Sequence, residues 1–248
     1  KILKKLIHSI LDKFGYQVYN KSKEARNLRI QKWDFLKNIK IETILDIGAN
    51  EGQFVAEILN IFPQAEVHSF EPLTDCFQKL ESRFKGNKNV HTYNFALGEQ
   101  TGEVTICRSL ASPSSSILKM GSLHKKLFPH TAKLTEEKIK IKRLDNVLSM
   151  EKMKNYVLLK IDVQGAESKV ITGAIEVLKN VDIIISEVSY APLYEGQPLV
   201  KDIMALLESH NFIYIGNLEQ FISPITNAPL FADAIFVNKE IYSILYKP

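Results

Sequence analysis

The chain has 248 residues, of which 45% are hydrophobic and 24% charged, with a net charge of +4. That length supports one α/β domain with a sizeable core. The ordinary composition excludes collagen-like, low-complexity and largely disordered classes. The small basic excess sits mostly near the N-terminus and does not by itself point to nucleic acid. The two cysteines, Cys76 and Cys107, form neither a metal-ligand spacing nor a disulfide framework, and no apolar run approaches membrane-spanning length. A cytoplasmic location is expected, and Lys1 in the first position leaves a preceding segment open.

Residues 1–40 read as a basic N-terminal extension. Ile2, Leu3, Leu6, Ile7, Ile10, Leu11 and Phe14 recur at helical spacing beside Lys1, Lys4, Lys5 and Lys13. Such a helix either caps the main domain with its lysines solvated, which is the favoured reading, or lies on a membrane surface through residues 1–14.

Residues 41–248 read as the main domain. The first strand, Thr43–Ile47, runs into a glycine turn and then a helix over 52–60 that stops before Pro63. The second strand, Glu66–Phe70, ends in Glu71. Strand, glycine turn, helix and strand ending in an acid predict a nucleotide-binding βαβ unit. The glycines permit close approach of a ligand to the backbone, and a carboxylate at that place can accept hydrogen bonds from both ribose hydroxyls. A dinucleotide is disfavoured, because Gly48 and Gly52 stand four apart and Asn50 fills the second-glycine position.

A helix over 74–84, a strand over 90–95 and a strand pair over 103–107 and 138–142 follow. Between the pair, residues 109–137 include Ser112-Pro113-Ser114-Ser115-Ser116 and show weak periodicity, so they read as a long loop or lid. A strand over 157–162, a helix over 166–178 and a strand over 182–188 continue the alternation. A helix over 199–210 and two short strands over 212–216 and 234–237 complete it. The result is a mostly parallel seven-stranded sheet, with helices on both faces and an antiparallel C-terminal edge.

In such sheets ligands sit beyond the carboxyl ends of the strands. Acids occur at four of those ends, in Asp46, Glu71, Asp162 and Glu187. Clustered carboxylates are costly unless a cation or a hydrogen-bond donor shares the space. Asp162 has a second reading as the N-cap of the following helix. His68 and His91 read as packed within strands. His124 and His130 either reach an acceptor or are simply solvated, and Lys160 should pair with an acid. Tyr190 and Tyr194 either stack on a sugar face or shape a turn.

Asp46-Ile47-Gly48-Ala49-Asn50-Glu51-Gly52 resembles the first motif of class I methyltransferases, and Glu71 resembles their ribose acid. Phe70-Glu71-Pro72, Asn94-Phe95-Ala96-Leu97-Gly98, Arg143-Leu144-Asp145, Lys160-Ile161-Asp162-Val163-Gln164-Gly165-Ala166-Glu167 and Ser186-Glu187-Val188 occur in that order. Together they resemble the FkbM family of S-adenosylmethionine-dependent methyltransferases over roughly residues 40–238. The resemblance implies a Rossmann-like class I fold. It implies O-methylation of a hydroxyl on a sugar, glycan or secondary metabolite, with a hydroxyl acceptor and no nucleic acid as partner. It places S-adenosylmethionine against Asp46, Gly48, Asn50, Gly52, Glu71, Asn94, Ala96, Leu97 and Asp162, with Asp162 and Glu187 as candidate catalytic groups. The family pattern carries an acid where this chain has Gln164, so no base or ligand role is expected there. Magnesium held by Asp162 and Glu187 is a lesser alternative, since only two acids are evident for an oxygen-seeking cation. A non-catalytic nucleotide-binding scaffold and a nicotinamide-dependent oxidoreductase are the competing functions.

Overall fold

The computed structural model describes residues 32–110, 112–149, 153 and 155–246. The amphipathic segment 1–14 and Ala111 lie outside the described residues. Two compact units are distinguished, Lys1–Lys37 and Asn38–Pro248. In the first, the described residues carry a 3-10 turn, Asp34–Leu36, closed by Leu36 N–H on the Trp33 carbonyl at 2.9 Å. Among the described residues, no helix is long and apolar enough to cross a membrane.

The second unit is built on a seven-stranded sheet of order β3-β2-β1-β7-β8-β10-β9. Its strands are β1 (Thr43–Ile47), β2 (Glu66–Phe70), β3 (Val90–Tyr93), β7 (Val157–Ile161), β8 (Val181–Ser189), β9 (Phe212–Ile222) and β10 (Pro229–Asn238). β1 pairs in parallel with β2 and β7, and β10 runs antiparallel to both β8 and β9. All five residues of β1 are buried, so both faces of the sheet centre are covered. The main core gathers Leu45, Ile47, Leu159, Ile161, Ile184 and Phe236 from the strands. Val170, Val177, Ile203 and Leu207 join them from α4 (Glu167–Thr172), α5 (Ile175–Leu178) and α6 (Val200–Ser209). Chain order reverses between β1 and β7, which puts the ligand crevice beyond the ends of those two strands.

The α/β architecture and its antiparallel edge match the expected fold, with local corrections. The helix expected over 166–178 is two helices, α4 and α5. A β-carbon on Gly173 would overlap the Gly98 carbonyl oxygen, and α5 starts afresh with its Glu176 and Val177 N–H groups donating to Asp145 Oδ1 at 3.0 and 3.1 Å. Asp162 does not cap α4. That position belongs to Ala166, while Glu167 Oε1 takes the Val163 and Gly165 N–H groups. The strand expected over 90–95 stops at Tyr93, because Asn94 turns its side-chain amide onto the carbonyls of Glu71 and Pro72. β9 and β10 are longer than the segments expected there, since they pair with each other from Pro229 opposite Ile222 to Asn238 opposite Phe212, beyond the Phe231–Val237 stretch that β10 shares with β8.

The strand pair belongs to a separate three-stranded sheet of order β4-β6-β5, formed by Ala96–Leu97, Leu134–Lys142 and Gly102–Ser109. It packs Ile106 and Ile139 against Leu73 and Cys76, the latter in α2 (Thr74–Arg83). The expected long loop is ordered structure. It contains a 3-10 turn over Ser112–Ser114 and α3 (Ser122–Leu127). It is stitched down by Ser116 pairing with Cys107 and by the Gly121 N–H on the Leu193 carbonyl. Met120, Leu193 and Tyr194 form a buried knot beneath it.

Candidate functional site

The turn after β1 is shaped by three left-handed residues, Gly48 (φ +85°), Asn50 (φ +47°) and Gly52 (φ +79°). Asparagine is among the few side-chain-bearing residues that tolerate this region. A β-carbon on Gly48 would collide with the Asp162 carbonyl oxygen, so the crossing of the β1 and β7 ends requires glycine. Gly52 is required for a different reason. A β-carbon there would meet Leu80 and Phe84, so it packs the turn down rather than facing a ligand.

Glu71 locks this turn. Its Oε2 accepts the Asn50 N–H at 2.9 Å and its Oε1 accepts the Leu73 N–H at 2.8 Å. Both oxygens keep further lone pairs toward the space in front of them. Burial pushes this carboxyl up to about 7, although the two N–H groups pull it down.

That space is a cavity of ≈ 350 Å³. The turn contributes Ile47–Asn50, α1 (Gln53–Ile58) contributes Gln53 and Phe54, and the β2 end contributes Phe70 to Leu73. Ala96, Leu97, Ile106 and Ile139 make an apolar wall from the side sheet. The insertion supplies Ser112, Pro113, Ser115, Ser116 and Ile117. Lys160, Asp162, Val163 and Gln164 complete it from the β7 end. The insertion is tied to the turn by Ser112 Oγ donating to Asn50 Oδ1 at 3.3 Å, and to the β7 end by Ser116 Oγ donating to the Gln164 carbonyl at 2.6 Å.

Of the expected site residues, Gly48, Asn50, Glu71, Ala96, Leu97 and Asp162 line this cavity, and Asp46, Gly52, Asn94 and Glu187 do not. Asp46 lies beneath the turn, opposite Lys160 in the β1/β7 register, fully buried and without a hydrogen-bond partner among the described residues. Burial pushes it up to about 6 against the pull of Lys160. Asn94 braces the backbone around Glu71. Glu187 stands behind Gln164, whose Nε2 donates to it at 3.1 Å.

The β7 end is a dense polar cluster. Lys160 Nζ donates to Asp162 Oδ2 at 2.9 Å, and Gln164 Nε2 to Asp162 Oδ1 at 2.9 Å. Burial alone would raise Asp162, but the Lys160 charge and these two hydrogen bonds outweigh it and hold the carboxylate below its usual range. Burial would neutralise Lys160, yet Asp162, Asp46 and Asp233 keep it above its ordinary value. Glu187 goes the other way. Burial, then the charges of Asp162, Glu167 and Asp233, push it well above the carboxylate range. The two neighbouring carboxyls are thus shifted in opposite directions, Asp162 toward its ionised form and Glu187 away from it.

Several cavity residues carry no sequence signal. Ser112 to Ile117, Ile106 and Ile139 reach the site only because the side sheet folds back over it. The run of serines was the available hint, since hydroxyls concentrated in one stretch supply donors for bare carbonyls. Neither His124 nor His130 lines the cavity. His124 is buried against Thr131, and His130 is exposed. Tyr194 is buried with its hydroxyl 3.0 Å from Gln164 Oε1, and Tyr190 accepts a hydrogen bond from Asn217.

The Methyltransferase FkbM domain model matches residues 46–214, more than half of the chain, and the chain belongs to this family of methyltransferases. It is 26% identical over 176 residues to the 2-O-methyltransferase NoeI of Sinorhizobium fredii (strain NBRC 101917 / NGR234), covering 68% of this chain and 72% of that one. It is 29% identical over 146 residues to Methyltransferase 1 of Beauveria bassiana (strain ARSEF 2860), covering 52% and 57% respectively. The solved structure of Methyltransferase FkbM from Methylobacillus flagellatus KT superposes with a TM-score of 0.48 at 13% identity. The match covers 80% of this chain and 44% of that one, so this chain spans less than half of that structure's length.

S-adenosylmethionine is the usual methyl donor of this family. The residues present fit it. Glu71 offers an oriented carboxylate to a ribose, the turn at Gly48 leaves no side chain in the way, and the side sheet gives an adenine an apolar wall. A divalent cation fits less well. Among the described residues no three His, Cys, Asp or Glu side chains converge to hold one, and an amide nitrogen lies between Asp162 and Glu187.

Proposed function

We propose that this chain transfers a methyl group from S-adenosylmethionine to a hydroxyl oxygen of a sugar, a glycan or a secondary metabolite. The observation that carries the reading is Glu71, a buried carboxylate at the end of β2 with both oxygens oriented by backbone N–H groups into a cavity bounded by the Gly48 turn. Support for oxygen as the acceptor atom comes from the relative whose name is 2-O-methyltransferase NoeI.

When bound, the donor supplies an electrophilic methyl carbon on a sulfonium sulfur. The chain's own part is to bind, align and exclude water. Glu71 accepts the ribose hydroxyls. Ala96, Leu97, Ile106 and Ile139 enclose the base, and Ser112, Pro113, Ser115, Ser116 and Ile117 roof the cavity. Alignment of acceptor oxygen, carbon and sulfur supplies most of the rate gain in such a displacement. Asp162 is the ionised carboxylate that lines the cavity, and it receives the hydrogen bond of the acceptor hydroxyl and its proton as the new bond forms. Glu187 does not reach the cavity and acts only through Gln164.

The test is incubation of the purified chain with methyl-labelled donor and a panel of sugars, oligosaccharides and polyhydroxylated metabolites. Label in an acid-stable methyl ether, lost with Asp162→Asn, is expected. Label on nitrogen, carbon or sulfur would change the acceptor class. Donor binding without transfer to any acceptor in the panel would favour a scaffold role.

A further inference from the structure

Gln164 sits at the cavity wall in the left-handed region, at φ +57°, with its carbonyl held by Ser116 Oγ. A side-chain-bearing residue in that region is strained unless its surroundings fix it. Here they fix the amide as well as the backbone. Nε2 donates to Asp162 Oδ1 at 2.9 Å and to Glu187 Oε2 at 3.1 Å, while Oε1 lies 3.0 Å from the Tyr194 hydroxyl. Asp162, held ionised, can only accept, so the amide nitrogen faces it, a Glu187 carboxyl oxygen accepts the other N–H, and the amide oxygen faces Tyr194. Both N–H groups are thereby used.

The geometry around that nitrogen is one that a cation would otherwise take. Two carboxylate oxygens from neighbouring strand ends converge on one point at about hydrogen-bonding distance, and an oxygen-seeking cation would draw the same two oxygens in. The amide nitrogen has no free lone pair to offer a metal. Asp162 Oδ2 is already taken by Lys160, and Glu167 Oε1 by two backbone N–H groups. A further positive charge would also sit beside Lys160 and close to a cationic sulfonium, which low-dielectric surroundings penalise.

We propose that Gln164 is a positioning residue which bridges Asp162 and Glu187 with a neutral amide in place of a divalent cation, so that this site works without metal. Its consequence for the reaction rests on the methyltransferase reading above, because it is Asp162 that Gln164 aims at the acceptor. The bridge itself can be read without that reaction. The chain's own determinant is then a single position. Glutamate there would add a third carboxylate and make, with Asp162 and Glu187, an oxygen set for a hard cation.

Mn²⁺ alone, followed by the magnetic resonance of the free ion, tests this on the full chain in parallel with titration of S-adenosylhomocysteine. The wild type is expected to show no Mn²⁺ site that depends on Asp162 or Glu187. Gln164→Glu is expected to gain one site, at least about tenfold tighter than any wild-type binding and lost again when Glu187→Gln is added. Should Gln164→Glu not fold, Gln164→Ala serves as the second variant. It leaves the two acids unbridged, and Mn²⁺ should raise its melting temperature but not that of the wild type. A wild-type Mn²⁺ site abolished by Asp162→Asn, or Mn²⁺-indifferent Gln164 variants that are folded, would overturn the proposal. Failure of the wild type to bind S-adenosylhomocysteine would instead sink the methyltransferase reading, whatever Mn²⁺ does.

Discussion

Gly48 and Asp162 touch backbone to backbone where β1 and β7 end, so closely that a single β-carbon on Gly48 would occupy the place of the Asp162 carbonyl oxygen. The contact joins the glycine turn to the strand end that carries the candidate catalytic carboxylate. Gly48→Ala must both adopt φ near +85° and push these segments apart. Each effect costs on the order of 1–3 kcal/mol. We expect a lowered melting temperature and loss of S-adenosylhomocysteine binding. Thermal denaturation with and without ligand measures both, and a variant with unchanged ligand-induced stabilisation would contradict the close approach.

With Glu71 as the proposed ribose acceptor, donor binding is expected to depend on pH. Burial raises the Glu71 carboxyl from 4.5 to about 7, so near neutrality the ligand-free site is partly protonated. Ribose hydroxyls donate best to the ionised form. Affinity for S-adenosylhomocysteine should therefore rise as pH climbs through about 7, with proton release on binding. Titration in buffers of different ionisation enthalpy reads that release, and Glu71→Gln should abolish it. The same shift also affects the empty protein. Between about pH 4.5 and 7 the folded state keeps a proton that the unfolded chain has lost, so Glu71's contribution to stability declines as pH rises.

His68 acts with the opposite sign. It is buried beside His91, with both ring Nε2 atoms near Glu66 at 3.5 and 3.4 Å, and its Nδ1 lies 3.1 Å from the Tyr93 hydroxyl. Burial, then the neighbouring His91, lower it from 6.5 to about 4. Its contribution is intact above pH 6.5, where both states are neutral. It is lost as pH falls toward 4, because the unfolded chain takes up a proton that the folded one resists. His68→Gln should flatten that part of the melting-temperature profile. The difference between variant and wild type is the readout, since Glu71 slopes the other way over an overlapping range.

Asp145 caps a helix distant in sequence. Its Oδ1 accepts the N–H groups of Glu176 and Val177 at the start of α5, and its Oδ2 accepts Arg143 Nη2 at 3.1 Å. Asp145→Ala leaves two N–H groups bare and takes the carboxylate from Arg143, which keeps the Glu99 and Thr172 carbonyls, with an expected cost of about 1–2 kcal/mol in chemical denaturation. Cofactor affinity should hardly move, since Asp145 is not part of the cavity wall.

Near-continuous apolar runs such as 157–161, interrupted by Lys160, and 183–185 announce strands covered on both faces. With glycine and acid punctuation they made the strands of the main sheet and its mostly parallel character legible, but not the strand order. The break between α4 and α5 was not legible. Gly173 alone is compatible with a continuous helix, and its meaning comes from Gly98, a neighbour supplied by the side sheet. The side sheet itself was visible as strands but not as a separate layer, because pairing partners leave no local trace. The places of Gly48, Glu71 and Asp162 on the cavity wall were legible from their positions at strand ends. Those of Ser112, Ser116 and Ile117 were not, since they depend on how the insertion folds back over the cavity. Asp46 and Glu187 also end strands but do not line the cavity. An acid at a strand end faces the crevice or the layer beneath it depending on a single residue of pleat.

The most direct measurement is calorimetric titration of the folded chain with S-adenosylhomocysteine, in parallel with NADH and repeated on Glu71→Ala. We expect micromolar binding of S-adenosylhomocysteine and none of NADH. Glu71→Ala should bind roughly ten- to 150-fold more weakly, the worth of hydrogen bonds to a charged acceptor at about 1.5–3 kcal/mol. A folded wild type that ignores S-adenosylhomocysteine, or a Glu71→Ala variant that binds it as well as the wild type, would contradict the assignment of this cavity to the methyl donor.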